Sequence, residues 1–414
     1  MKKWISLCLV ALLIFGVFAG CSQTEQSAQE AETEAIPAST VNAEGLTDAI
    51  KLLSERTVED IATDDPRFDE IVATCGDYQL SNRVLQFYYW MAYLNFRSSM
   101  SSYGVSDMSM FGLDASKSLA EQQSLAEGMS WEQSFLSSAL ESFRQNAAVA
   151  MVAKADGFEL PADVQEYLDT LDADLEEQAA TYGYEDTLSF VQESFGPGAT
   201  VESYREYVEL FYNAAYYENE IYDSLEYTDE ELAAYFEANA ETFEAAGVTM
   251  DDTTLINVRH ILITWEDEDG DGTPTDEEKA AALAEAERIL ALYEEDPTEE
   301  HFAALAEEYS TDPGSSSNGG LYEEVAPGTM VQPFNDWCFD ESRNPGDTGI
   351  VETTYGYHIM YFVSQSATLY WKQYALNNGF LNEKMDKLVD EMVDQYDISV
   401  TPEAIVLGKA DIYA

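Results

Sequence analysis

Residues 256–263 have the sequence INVRHILI, and this stretch decides the fold expected for the second half of the chain. Successive side chains of a β-strand point to opposite faces, so a strand here divides the residues into two sets. One set is Ile256, Val258, His260 and Leu262, and the other is Arg259, Ile261 and Ile263. The pattern predicts a strand with a histidine on one face and an arginine on the other.

Helix and strand patterns alternate along the residues that follow. Apolar residues recur at helical spacing and predict two helices, one through Leu283, Ala286, Leu290 and Tyr293 and one through Phe302, Leu305, Ala306 and Tyr309. A third, short helix is predicted to hold Met330, Val331, Phe334 and Trp337. Residues 357–364 are predicted to form a closing strand. The fold class indicated for this part of the chain is α+β.

Five short motifs in this region occur in a fixed order. They are VRHIL at 258–262, FAALA at 302–306 followed by YSTD at 309–312, NGGL at 318–321, MVQPF at 330–334, and TTYGYHI at 353–359. Together they resemble the parvulin-type (PpiC or rotamase) prolyl isomerases. The resemblance implies a domain at residues 251–366 in which a small antiparallel sheet is surrounded by helices.

The resemblance also implies a set of site residues. Met330 and Phe334 would line a slot for the proline ring with Leu321 nearby, and a spacing of four would put the first two on one helix face. His260 and His358 would lie on neighbouring strands and hydrogen-bond each other. Asp312 and Thr353 would complete the polar floor. Taken one by one, these residues also fit a plain structural role, because apolar pairs at helical spacing and histidines on strands are common in cores.

The expected reaction is cis–trans isomerisation of X-Pro peptide bonds. Resonance gives peptide rotation a barrier of roughly 18–20 kcal/mol, and uncatalysed X-Pro exchange is slow enough to limit folding. No bond breaks, so neither a nucleophile nor a cofactor is required. The family commonly has Gly-Gly-Asp-Leu-Gly where this chain has GGLYE at 319–323. This departure keeps open the alternative of a non-catalytic, holdase-type chaperone with a degenerate parvulin domain.

Residues 46–250 are predicted to be largely helical, with a strand, a tight turn and a helix start across residues 72–81. The turn at 75–82 and the segment YTDEELAAYF at 227–236 resemble, more weakly, the PrsA-type foldase lipoproteins and the chaperone SurA. Residues 367–414 return to helix and are expected to pack on this part. The isomerase domain would then be inserted in a mostly α-helical, chaperone-like domain. A solute-binding lipoprotein would need a two-lobed α/β pattern, which the helical half disfavours.

The first 20 residues are predicted to be a targeting segment. Lys2 and Lys3 precede an apolar stretch that ends at Ala19, Gly20 and Cys21, which resembles a bacterial lipoprotein signal. Cys21 would carry the lipid, residues 21–45 would form a disordered tether, and the protein would lie on the outer face of the cytoplasmic membrane. Phe18 departs from the usual Leu, so an ordinary secretory signal is the alternative.

The chain carries 80 Asp and Glu residues against 19 Lys and Arg residues, a formal net charge of −61. Such a charge repels nucleic acid, so a nucleic-acid-binding function is excluded. It should attract divalent cations or basic polypeptides, although a solvated acidic coat would look the same. The expected partners are unfolded or partly folded exported proteins with X-Pro bonds, and the membrane through the lipid. A homodimer is left open.

One acidic loop has the spacing of a calcium site. Asp267, Asp269, Asp271 and Glu278 fall at positions 1, 3, 5 and 12 of an EF-hand-type pattern, with Gly272 at position 6. The alternative is an acidic loop without an ion, in which Thr275 and Glu278 form a helix capping box.

Cys8 would be removed with the targeting segment, and Cys21 would carry the lipid. The two other cysteines, Cys75 and Cys338, are expected to be buried thiols in different domains.

Overall fold

The computed structural model describes residues 61–102, 108–114, 117–125, 128–265, 274–401 and 404–408. The chain divides into two compact units. The first unit comprises the described residues up to Leu225 and from Lys384 onward, and the second comprises Glu226–Glu383. These limits lie outside the predicted isomerase domain, residues 251–366, at both ends. The calcium-loop residues Asp267, Asp269 and Asp271, together with Cys21 and the tether, lie outside the described residues.

The first unit contains a small sheet and five complete α-helices among its described residues. The sheet is antiparallel in the order β2–β1–β7, with β1 at Ile71–Cys75, β2 at Tyr78–Ser81 and β7 at Ile398–Val400. The helices are α1 (Asn82–Ser102), α2 (Trp131–Asp156), α3 (Ala162–Tyr182), α4 (Thr187–Phe195) and α5 (Val201–Asp223). The helix start predicted before residue 82 is wrong, because the chain first returns alongside β1 as a second strand.

Aromatic side chains fill the core of the first unit. Helix α1 alone buries Phe87, Tyr88, Tyr89 and Trp90 completely or nearly so. Full burial of one such large apolar side chain contributes about 1.5–3 kcal/mol. Helix α2 has a defined start, because Ser130 and Gln133 form a reciprocal capping box. The closely spaced aromatic residues of α1 therefore pack in the core of this unit.

The second unit contains a four-stranded antiparallel sheet in the order β4–β3–β6–β5. Its strands are β3 (Thr254–Ile263), β4 (Leu321–Val325), β5 (Thr348–Glu352) and β6 (Tyr357–Leu369). Its helices are α6 (Asp229–Ala238), α7 (Ala240–Ala245), α8 (Asp276–Glu295), α9 (Glu299–Tyr309), α10 (Gln332–Cys338) and α11 (Tyr370–Asn377). A last helix, α12 (Phe380–Val393), contains the boundary between the two units. The α+β class predicted from the sequence is confirmed.

The two faces of the sheet are covered by different helices. On one face, Ile261 and Ile359 pack with α8 and α9 through residues such as Ile289 and Phe302. On the other face, Val258 and Met360 pack with α10. A separate cluster joins α6, α7 and α11. Strand β3 is one of the two central strands. The face of β3 that carries Val258 is covered by α10.

Helix α10 is shorter than the sequence pattern predicts. It begins at Gln332, so Met330 and Val331 precede it. Pro333 explains the late start, because proline lacks a backbone N–H and is tolerated in the first turn of a helix but not further inside. The prediction that Met330 and Phe334 share a helix face is therefore wrong. Within the described residues, no helix is both long and apolar enough to cross a membrane.

Candidate active site

Two buried histidines face each other across the central pair of strands. His260 lies on β3 and His358 on β6, and the register makes them diagonal neighbours on one face of the sheet. Their Nδ1 atoms are 2.9 Å apart and their rings are stacked. Only 3% of His260 and 5% of His358 is exposed. A contact predicted from two distant motifs is thus present in the folded chain.

The histidine pair is extended at both ends by the other two polar residues that the sequence singled out. Asp312 Oδ2 lies 3.1 Å from His260 Nε2. Thr353 Oγ1 lies 2.9 Å from His358 Nε2. Asp312, His260, His358 and Thr353 therefore form one continuous hydrogen-bonded chain.

Local backbone contacts hold the two ends of this chain in place. After α9, Thr311 N–H donates to Leu262 O at 2.9 Å, which fixes the loop that carries Asp312 against β3. At the other end, Thr353 N–H donates to Gly356 O at 2.9 Å in the turn between β5 and β6. These contacts fix the backbone beside Asp312 and Thr353, which are the two ends of the hydrogen-bonded chain.

Donor and acceptor rules assign the protons along the chain. A carboxylate only accepts, so His260 donates from Nε2 to Asp312. When each ring carries one proton, His260 accepts at Nδ1 from Nδ1–H of His358, and His358 accepts at Nε2 from the hydroxyl of Thr353. Burial, and next the neighbouring His260, lower the pKa of His358 to about 4. At neutral pH His358 is therefore an uncharged imidazole with a fixed tautomer.

Asp312 is held as a carboxylate by three donors. Besides His260, the hydroxyls of Ser315 and Tyr322 donate to Oδ2, at 2.5 and 3.0 Å. These hydrogen bonds, the one from His260 foremost, hold the pKa of Asp312 well below its ordinary value of 3.8. Neither Ser315 nor Tyr322 was among the site residues predicted from the sequence.

Tyr322, and not Leu321, occupies the site face of β4. The register pairs Tyr322 with Val258 and Leu321 with Arg259, so Leu321 lies on the face opposite His260. The Tyr322 ring stacks on His260 with ring centroids 5.4 Å apart. The alternation of side chains along a strand could have indicated Tyr322, which is one residue after Leu321 in the GGLYE motif and therefore faces the other way.

Phe334 forms the apolar side of the site. It is buried on α10, and its edge approaches the rings of His260 and His358 at centroid distances of 5.3 and 5.4 Å. Met330 is partly buried and packs against the same apolar cluster from the loop before α10. Phe334 therefore contacts the polar chain directly, and Met330 packs against the apolar cluster that contains Phe334.

Glycine is required where the loop after α9 meets β3. His260 N–H donates to Gly320 O at 2.9 Å, and Gly320 has φ +73°. A Cβ atom at Gly320 would lie 2.2 Å from His260 O, closer than any real contact. The second Gly of the Gly-Gly-Asp-Leu-Gly motif is thus required here for a steric reason. The Asp and the last Gly of that motif are absent from this chain.

The remaining predicted residues lie away from this chain. Glu278 caps α8, where its carboxylate accepts from the N–H of Thr275 at 2.7 Å. Within the described ranges, no group of three or more His, Cys, Asp or Glu side chains is arranged to hold a metal ion. Cys75 and Cys338 are buried free thiols, one in each unit.

Comparison with known families adds an independent observation. Residues 245–365 match the family model described as the PPIC-type PPIASE domain. The foldase protein PrsA of Caldanaerobacter subterraneus subsp. tengcongensis is 29% identical over 213 residues, which are 49% of this chain and 56% of that protein. Foldase protein PrsA 1 of Listeria innocua is 34% identical over 111 residues, 27% of this chain and 31% of that protein. The matches thus span less than two thirds of the length of these relatives.

Solved structures of similar description are also matched. The PPIase domain of TBPAR42 is 26% identical, and the match covers 26% of this chain and 99% of that one at a TM-score of 0.22. PrsA from Bacillus subtilis is 18% identical, with 64% of this chain and 87% of that one covered at a TM-score of 0.24.

Proposed function

We propose that this protein, whose residues 245–365 are a PPIC-type PPIase domain, is an extracytoplasmic prolyl isomerase and chaperone for exported proteins. The family match confirms the parvulin-type resemblance predicted from the sequence motifs. The proposed reaction is rotation about X-Pro bonds of unfolded or partly folded polypeptides.

The site suits a rotation that breaks no bond. Peptide rotation passes through a twisted amide that has lost its resonance, and an enzyme accelerates it by binding that form best. Met330 and Phe334 supply apolar contacts for a proline ring. The polar chain beside them presents imidazoles that hydrogen bonds hold in place, so their dipoles need not reorient during the reaction.

The observation that carries this proposal is the contact of Phe334 with both imidazole rings of the Asp312–Thr353 chain. It joins the apolar slot to the fixed polar floor in one place. The test is an assay of cis–trans exchange in an X-Pro peptide with the full chain, in which Phe334→Ala should lose most of the acceleration. Equal rates for the wild type and the peptide alone would contradict catalysis.

The second candidate function is a holdase-type chaperone with little catalysis. Tyr322 favours it, because this large side chain stands on the site face where the family commonly has Leu. The exchange assay separates the two candidates. Suppressed aggregation of an unfolded client without accelerated exchange would support the holdase.

The proposed location is the outer face of the bacterial cytoplasmic membrane, with lipid attached to Cys21. Its support is the Ala19-Gly20-Cys21 junction behind an apolar stretch. Cys21→Ser should release the protein from the membrane fraction, and unchanged membrane retention would contradict the lipid anchor. Calcium binding at Asp267, Asp269, Asp271 and Glu278 remains a separate proposal, tested by calorimetric titration of the full chain with calcium.

A further inference from the structure

The first unit contains a cavity that the proline site does not involve. Its volume is about 450 Å³, and it lies between α1, α2 and α5. Pockets of roughly 300–1,000 Å³ are typical of ligand sites, so this one is large enough for a long side chain.

One wall of the cavity is aromatic. It includes Tyr88 and Phe96 of α1 and Tyr207 and Phe211 of α5. The rings of Tyr207 and Phe211 are stacked, and Tyr88 meets Tyr207 edge to face. These contacts hold the wall together, and aromatic faces attract cations as well as apolar groups.

Another part of the lining is polar and carries a carboxylate. Gln145 Nε2 donates to Glu218 Oε1 at 3.4 Å, and Asn146 Nδ2 donates to the hydroxyl of Tyr88 at 3.2 Å. Among the residues lining the cavity, all in the described part of the chain, Glu218 is the one charged side chain.

Glu218 lacks a counter-charge in the described part of the chain. The charged group that acts on it most is another acid, Asp386. Burial, and then Asp386, raise the pKa of Glu218 above its ordinary value. Withdrawing a carboxylate from water without a cation costs free energy, and a bound cation would recover part of that cost.

We infer that this cavity binds a Lys or Arg side chain of an unfolded polypeptide, with its cation at Glu218 and its aliphatic stem along the aromatic wall. Long basic side chains pair an apolar stem with a charged tip, which matches the aromatic and the polar parts of the lining. The net charge of −61 adds a long-range attraction for basic segments. The inference rests on the proposed function and deepens it, because it names the segments that the first unit holds.

The test compares two substitutions on α5. Glu218→Gln keeps the shape and the contact with Gln145, and Glu220→Gln removes the same charge from an exposed position on the same helix. The probe is a fluorescent, proline-free Gly-Ser-Leu peptide with one Lys, alongside peptides carrying Arg or norleucine instead. Binding to the full chain is followed by anisotropy.

Glu218→Gln should weaken binding of the Lys and Arg peptides about tenfold and leave the norleucine peptide unchanged. Glu220→Gln should change each affinity less than about twofold. Ser142→Phe, which places a ring in the cavity from an exposed position, should also weaken the Lys peptide. Equal effects of the two Glu substitutions, or equal affinity for Lys and norleucine peptides, would overturn the site.

The outcome is separable from that of the proposed function. X-Pro exchange should be the same in Glu218→Gln as in the wild type, because Glu218 lies in the first unit and the proline site in the second. Loss of exchange activity in the wild type with Lys-dependent binding intact would refute the isomerase and leave the basic-segment site standing.

Discussion

The hydroxyl of Tyr322 donates to Oδ2 of Asp312 at 3.0 Å while its ring stacks on His260. A tyrosine at the position where the family pattern has Leu therefore joins both ends of the Asp312–His260 hydrogen bond. Asp312 in turn holds the orientation of His260. Tyr322 therefore contacts both partners of the hydrogen bond at this end of the site.

Tyr322→Phe should lower the free energy of unfolding by about 1 kcal/mol at pH 7, because it removes one donor from a partly buried carboxylate. The ring and its stacking on His260 remain. Urea unfolding of the full chain measures the change. Tyr322→Leu loses the ring as well and should be less stable than Tyr322→Phe; equal stability of all three proteins would show that neither contact contributes.

The low pKa of His358 predicts a pH dependence of stability. The pKa is about 4 in the folded protein against an ordinary 6.5, so between these values the unfolded chain binds a proton that the folded chain does not. Stability should therefore fall as pH falls from about 6.5 to about 4, by at most about 1.4 kcal/mol per pH unit from this group.

The His358→Asn variant isolates this effect from the many surface carboxylates. As the pH falls from about 6.5 to about 4, the free energy of unfolding of the variant should rise steadily relative to that of the wild type. Asp312, whose pKa is lowered, contributes stability that is lost only below about pH 4, so it acts in a different window. Parallel profiles for wild type and variant from pH 6.5 to pH 4 would contradict a neutral, desolvated His358.

Gly320→Ala should destabilise the second unit severely. Its Cβ would lie 2.2 Å from the backbone oxygen of His260, which cannot move without breaking the strand pair. We expect a cost of about 3 kcal/mol or more, seen as a large drop in Tm. Gly328→Ala is the matched control, since Gly328 has φ +79° but nothing within 4 Å of its Cβ position. It should cost about 1 kcal/mol, and similar losses for both variants would refute the steric argument.

Peptides with phosphoserine before proline should exchange no faster than unphosphorylated ones. Residues 251–366 carry 27 Asp and Glu against four Lys and Arg, a net charge of −23. Each of the four cations already pairs with a carboxylate: Arg259 with Glu299, Lys279 with Glu352, Arg288 with Glu285 and Arg343 with Asp340. Rates for the two peptides, compared at low and high salt, measure the preference. A several-fold advantage for the phosphopeptide would contradict the prediction.

The sequence predicted the parts of the site that depend on local periodicity. The strand around His260 and the closing strand with His358 follow from alternation and from family motifs, and the structure places these residues in contact. Tyr322 was missed because a one-residue shift in a strand exchanges its two faces, and the resemblance had placed Leu321 at the site.

Two other features were not predicted, one for a local reason and one because it depends on tertiary packing. Met330 was assigned to a helix that Pro333 makes shorter. The cavity beside Glu218 exists only because three helices separated in sequence pack together, so no spacing along the chain reveals it.

Cis–trans exchange of an X-Pro peptide, measured by NMR with the full chain, is the direct test of the proposed isomerase activity. The wild type should accelerate exchange well above the uncatalysed rate. The catalysed rate of Phe334→Ala should be at least about tenfold lower than that of the wild type, because the substitution removes apolar contacts made with the twisted amide. Met250→Ala, an exposed methionine in the same unit, should keep the full rate. A wild type that does not accelerate exchange would contradict the proposed isomerase activity. A Phe334→Ala protein as fast as the wild type and the Met250→Ala control would contradict the proline slot at Phe334.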